Sequence, residues 1–196
     1  MTELKGRYPT DIELGEETVN LSLLSTADGK DLVAFAEELP PHDLLFLSRD
    51  IREPKVQAAW LRQIESGGIV SVVARVAGRI VGTTAVVVDK YSFSPHVGEL
   101  RILVSESARR MGLGRKLIQE AFLVGVDLGL EKLTARMTLD QSAAINVFEE
   151  LGFKTEAMFH DHVKDRDGKK HDLLVMSNNV DAFYAQMQAY GLDRAF

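Results

Sequence analysis

Apolar positions along this chain recur first in alternation, then at helical spacing, then in two further blocks of alternation and helix. β-Favouring and polar residues alternate over 18–24, which predicts a strand. Over 31–39, Leu32, Val33, Phe35 and Ala36 fall on one helical face, and Pro40 and Pro41 stop the helix. A second helix is expected over 54–64, with Ala58, Trp60 and Leu61, and Gly67 and Gly68 close it. From Ile69 the period shortens. Valine-, isoleucine- and threonine-rich runs over 69–76, 79–88 and 97–104 predict an antiparallel meander, with Ala77-Gly78 as a tight hairpin turn. Leu113, Leu117, Ala121, Val124 and Leu128 then mark one buried stripe of a helix over 113–128. A strand over 132–139 completes a βαβ unit, whose neighbours are parallel and whose crossover is right-handed.

The remainder reads as a short helix over 142–151, a hairpin and a tail. Ala144, Val147, Phe148 and Leu151 share one side of the short helix, with Asp140 as its N-cap and Gly152 at its end. Strands over 153–163 and 171–176 pair across Asp165-Arg-Asp-Gly168, which sets His162 opposite His171. Val180, Phe183, Met187 and Tyr190 recur at helical intervals over 180–190, so the tail packs back on the core or makes a homodimer contact. With 196 residues, 45% of them hydrophobic, the chain has material for one sizeable core, which predicts a single domain over 1–196.

Charge and cysteine content narrow the function classes. A formal net charge of −6 disfavours a broad nucleic-acid footprint, because counterion release needs a clustered basic face. The absence of cysteine excludes disulfides, thiolate metal sites and a cysteine nucleophile. No window approaches a membrane span and the polar N-terminus lacks a signal-peptide core, so a cytoplasmic protein without membrane contact is expected. His160 and His162 lack a carboxylate at a telling spacing, and no metal site is expected.

The chemistry concentrates in Val104-Ser-Glu-Ser-Ala-Arg-Arg-Met-Gly-Leu-Gly-Arg115. Gly112 and Gly114 open the long helix beside Arg109, Arg110 and Arg115, so free backbone N–H groups sit in a positive local field. Such a turn suits phosphates. A dinucleotide fingerprint would need a glycine where Leu117 stands, and no Walker sequence occurs.

Val104-x-x-x-x-Arg109-x-x-Gly112-x-Gly114 is similar to the pyrophosphate motif of the GNAT superfamily, the acyl-CoA-dependent N-acetyltransferases. Gln141-x-x-Ala144-x-x-x-Phe148-Glu-Glu-Leu-Gly-Phe153 is similar to its second motif. The resemblance covers about residues 17–178, with the helix at 180–190 beyond it, and implies a mixed α/β GNAT fold with two parallel strands splayed apart. It implies acetyl-CoA as cofactor, held by the backbone from Arg109 through Arg110, Met111, Gly112, Leu113 and Gly114 to Arg115. Main-chain groups of Leu103 and Val104 would meet the pantetheine arm and supply an oxyanion donor, with Gln141 and Ala144 on the other side. Gln141 replaces the usual asparagine, and Phe148 replaces the tyrosine that protonates the departing thiolate in many members. Tyr91 or a water could take that part. The implied reaction is direct acetyl transfer to a primary amine of a small molecule, peptide or protein; the alternatives are a non-catalytic acyl-CoA-binding regulator and a site for another phosphorylated ligand.

Two assignments on the acceptor side stay open. Glu99, five residues before Val104, is the candidate catalytic base, or else a structural or substrate-binding carboxylate. An offset of one residue would turn it to the other face of the strand unless a bulge intervenes. In Pro40-Pro-His-Asp43 and Ser48-Arg-Asp-Ile-Arg-Glu53, Asp43, Asp50 or Glu53 could hold a cationic amine or be solvated loop charges. The acidic balance leans mildly toward a cationic acceptor.

Overall fold

A computed structural model of the chain describes residues 2–47 and 49–189. Its elements are α1 (Thr2–Arg7), β1 (Thr10–Leu14), β2 (Glu17–Leu23), α2 (Gly29–Glu38), α3 (Pro54–Glu65), β3 (Ile69–Val76), β4 (Arg79–Val87) and β5 (Val97–Val104). They continue with α4 (Leu113–Asp127), β6 (Lys132–Thr138), α5 (Ser142–Glu150), β7 (Lys154–Lys164), β8 (Lys170–Asn179) and α6 (Val180–Ala189). The strands form one eight-stranded sheet in the order β1-β2-β3-β4-β5-β6-β8-β7. Every pairing is antiparallel except β5 with β6, so the mixed sheet and the central βαβ unit are as expected. Ala77 and Gly78 both take positive φ, 48° and 81°, which gives the hairpin turn a twist matching its strands.

The sheet has two differently covered faces. On one, α4 is buried through Leu113, Leu117, Ile118, Ala121, Phe122 and Val124 against Leu100, Leu133, Ala135 and Met176. Gly82 permits this close approach, since a Cβ there would lie 3.0 Å from Leu117 and 3.1 Å from Leu113. On the other face, α2 and the following 3-10 turn pack Leu32, Phe35, Leu39, Leu44 and Phe46 on Val73, Leu103 and Leu173. Helix α6 packs back on the α4 side, with Phe183 stacked on Phe122 at 3.6 Å between ring centroids. Of its predicted stripe, Tyr190 and the side chain of Met187 lie outside the described residues, as does Ser48.

Several expectations need correction. The sheet begins before the expected core boundary at 17: β1 pairs with β2, and Leu4 and Tyr8 are buried. A buried ion network explains this. The Glu120 carboxylate on α4 accepts hydrogen bonds from Arg7 at 3.1 Å, from the Tyr8 hydroxyl and from Lys116 at 2.9 Å. Burial would raise the Glu120 pKa, but these donors outweigh it and hold the carboxyl below its ordinary range. Asp140 is not the N-cap of α5. Gln141 takes that position, and Asp140 instead pairs with His42 at 2.8 Å. His162 does not face His171. The β7–β8 register shifts between Phe159 and Val163, where Asp161 has φ 53°, and Val163 pairs with His171.

Candidate functional site

The central parallel pair opens along its length. Strands β5 and β6 are in register from Val97 with Lys132 to Leu100 with Ala135, and beyond that point each pairs only with its outer neighbour, β4 or β8. The hydrogen-bond phase identifies which groups line the gap. The Ser105 amide donates to the Val81 carbonyl at 2.9 Å, so in the antiparallel β4–β5 ladder Leu103 also directs its peptide groups at β4. Ile102 and Val104 therefore direct theirs into the gap. Of the two residues expected to face the gap with their main chain, Val104 does so, whereas Leu103 points its peptide groups at β4 and Ile102 takes the second place.

The gap opens into a cavity of about 640 Å³. It passes through the sheet, because its wall includes Leu100, Ala135, Met137 and Ile118 from the α4 face and Leu39, Phe46 and Leu103 from the α2 face. At one end lies the Arg109–Arg115 turn. Arg110 and Gly112 take positive φ, 67° and 86°, and Gly112 is the N-cap of α4. The first N–H known to bond back to this end of the helix is that of Lys116, to the Gly112 carbonyl at 3.1 Å, so the amides of Leu113, Gly114 and Arg115 precede the intrahelical ladder. A Cβ on Gly112 or Gly114 would meet nothing within 4 Å, so the space before these amides is open. Arg109, Arg110, Gly112, Gly114, Arg115, Gln141, Ala144 and Phe148 all line the cavity. Met111 and Leu113 point into the core and offer only backbone.

Residues 31–153 match the sequence profile of the Acetyltransferase (GNAT) family. The chain belongs to this family. It is 29% identical over 82 residues to "Putative phosphinothricin acetyltransferase YwnH" of Bacillus subtilis (strain 168), an alignment spanning 42% of this chain and half, 50%, of that curated relative. Its fold is similar to that of an acetyltransferase of the GNAT family from Streptococcus pneumoniae, with a TM-score of 0.70 and 23% identity over 82% of this chain and 99% of that one. It is similar also to spermidine N-acetyltransferase from Vibrio cholerae in complex with CoA and spermine, with a TM-score of 0.71 and 15% identity over 85% and 98% of the two chains.

Within this GNAT frame, the second motif forms the wall across from the Arg109–Arg115 turn. The Gln141 side-chain oxygen accepts from the Thr138 amide at 3.1 Å, which closes the end of β6 and leaves the amide nitrogen as its donor. Phe148 is buried edge-on to Phe153, at 4.8 Å between centroids, and presents a ring without a hydroxyl. The arginines are held by carboxylates: Arg109 by Asp43 and Arg115 by Glu150. Asp43 thus lines the cavity as the partner of Arg109. Asp50 is held by both Arg52 and Arg166, and the hydrogen bonds from Arg52, followed by that from Arg166, keep its carboxyl well below the ordinary range.

Glu99 sits on the α2 face of β5 with Arg101 and Leu103, in a β4–β5 ladder free of bulges. It accepts a hydrogen bond from Arg101 Nε at 2.9 Å and does not itself line the cavity. A second cavity of about 720 Å³ lies on this face, bordered by Trp60, Thr83, Tyr91, Arg101 and Leu103. Leu103 borders both cavities. Tyr91 is wholly exposed on the β4–β5 loop.

Sequence reasoning passed over two features of the site. Ile102 is invisible to side-chain pattern because its part is played by the main chain. Arg136 follows Leu133 and Ala135 and precedes Met137 in a strand whose other cation, Lys132, stands at its start, and a cation that far into a central strand is a readable signal.

Proposed function

We propose that this protein is an N-acetyltransferase that binds acetyl-CoA in the splayed cleft and passes the acetyl group directly to an acceptor amine. The observation that supports this reading best is the open seam between β5 and β6, edged by the peptide groups of Ile102 and Val104 and ending at the first-turn amides of α4, which have no intrahelical acceptor. The open space before Gly112 and Gly114 fits a pyrophosphate, which a side chain at either position would crowd. When bound, acetyl-CoA supplies an activated thioester acyl group.

The chain's own residues then have defined tasks. Amides of the Arg109–Arg115 turn hold the pyrophosphate, and Arg110 adds charge. Peptide groups of Ile102 and Val104 align the arm as an extra strand would, and one N–H faces the acyl oxygen as it gains charge. Glu99, at the height where the strands part and on the α2 face, is the proton acceptor for the attacking amine. An alkylamine with pKa of about 10.4 needs this help, since its neutral form costs about 4–5 kcal/mol at pH 7. The chain has no cysteine to carry a cysteinyl intermediate, and direct attack in a ternary complex is the simpler route. Thiolate leaves readily enough for catalysis to proceed past Phe148, because with a thiol pKa of about 8.5 the departing anion is only modestly unstable near pH 7.

A second reading, an acyl-CoA-binding regulator without turnover, rests on Phe148. Thiol release from acetyl-CoA across amino acids, peptides and polyamines separates the two. Amine-dependent release supports the enzyme, whereas tight CoA binding with no turnover on any amine overturns it.

A further inference from the structure

Building on the proposed acetyl transfer, we infer that the acceptor is a small amino acid, an amine carrying a carboxylate close to its nitrogen, and that Arg136 binds that carboxylate. The parallel register Glu99 with Thr134 places Thr134 and Arg136 of β6 on the same face as Glu99 and Arg101 of β5. Two residues further along, Arg101 and Arg136 stand at matching heights just past Leu100 and Ala135, the last paired positions. Arg136 is therefore at the apex of the opening, on the face away from α4.

Its surroundings are unusual for a guanidinium. Arg136 belongs to an inner strand flanked by β5 and β8, yet it is exposed and lines the cleft. Among the described residues its guanidinium has no hydrogen-bond or ion-pair partner, while its main chain stays in the ladder. The nearby carboxylates are committed elsewhere: Glu99 to Arg101, Glu156 to Lys132, Asp140 to His42 and Asp43 to Arg109. The apex thus holds one uncompensated cation, with a planar fork suited to a carboxylate. Glu99 lies one strand away to receive a proton. A polyamine would bring a second cation against Arg136. The net charge of −6 acts at long range and is screened over about a Debye length, so the local cation decides the contact.

The test measures kcat/KM by thiol release at saturating acetyl-CoA, for standard L-amino acids, each beside its carboxamide, with spermidine as a dicationic control. The best amino acid is expected to exceed its carboxamide roughly ten- to a hundredfold. Arg136→Gln should collapse that ratio to within about twofold, and Arg136→Lys, which keeps charge without the fork, should recover part of it. Equal use of acid and amide, preference for spermidine, or a ratio untouched in Arg136→Gln overturns the acceptor class while acetyl transfer stands. No transfer to any amine overturns both.

Discussion

Helix α4 contrasts two ways of using polar groups within two turns of chain. At its N-terminus, the amides of Leu113, Gly114 and Arg115 precede the intrahelical ladder, and a Cβ on Gly112 or Gly114 would meet open space. Around Glu120, by contrast, a fully buried carboxylate is enclosed by Arg7, Tyr8 and Lys116. The first region leaves hydrogen-bonding capacity for a ligand, and the second spends all of it on attaching the N-terminal segment. Stability and binding should therefore separate by position along one helix.

The largest effect is expected at the closed end. Glu120→Gln leaves the buried Lys116 and the half-buried Arg7 without their carboxylate and should lower the unfolding free energy by about 3–5 kcal/mol in urea titration. The pH dependence carries the same signature. Because the folded Glu120 pKa lies below the unfolded value of 4.5, its contribution is complete above that value and is lost as pH falls through the lower folded one. Wild type should lose stability across this acidic window, and the glutamine variant should show a flatter curve there.

On the cleft wall, Phe148→Tyr should raise kcat by about a hundredfold if the added hydroxyl reaches the departing sulfur, with little change in melting temperature. Unchanged kcat would show that protonation of the thiolate does not limit turnover. At the open end, Gly112→Ala forces a Cβ into φ 86° and should cost about 1–2 kcal/mol of stability as well as CoA affinity. Gly114→Ala sharpens the comparison. Its φ is not left-handed, so stability should hold or rise by about 0.5–1 kcal/mol, while a methyl in the phosphate's space weakens CoA by about tenfold in calorimetric titration. The smallest effect belongs to Arg115→Ala. Its pair with Glu150 is exposed, so stability should change by less than about 1 kcal/mol, with a shallower salt dependence of CoA binding.

The contrast also explains what could be read in the sequence. The phosphate turn and the second motif are local: glycines, arginines and Gln141 to Phe153 stand close in sequence, and their spacing carries their geometry. Strand and helix periods located the meander and the βαβ unit within a residue or two. The Arg7–Glu120 contact joins residues 113 apart, and nothing in a polar N-terminus announces its partner. A carboxylate before a helix usually caps it, but His42, brought in by the turn after α2, takes Asp140 instead. The phase that exposes Ile102 rather than Leu103 depends on the β4 ladder, which side-chain alternation does not encode.

Acetyl transfer is the proposed role of the seam between β5 and β6. Its most direct test is a mass balance on the wild-type protein, with acetyl-CoA and the best acceptor, following thiol and acetylated amine together. One free CoA and one N-acetylated product for each acetyl-CoA consumed is the predicted result. Thiol release without acetylated amine, or bound CoA with neither product, would contradict it.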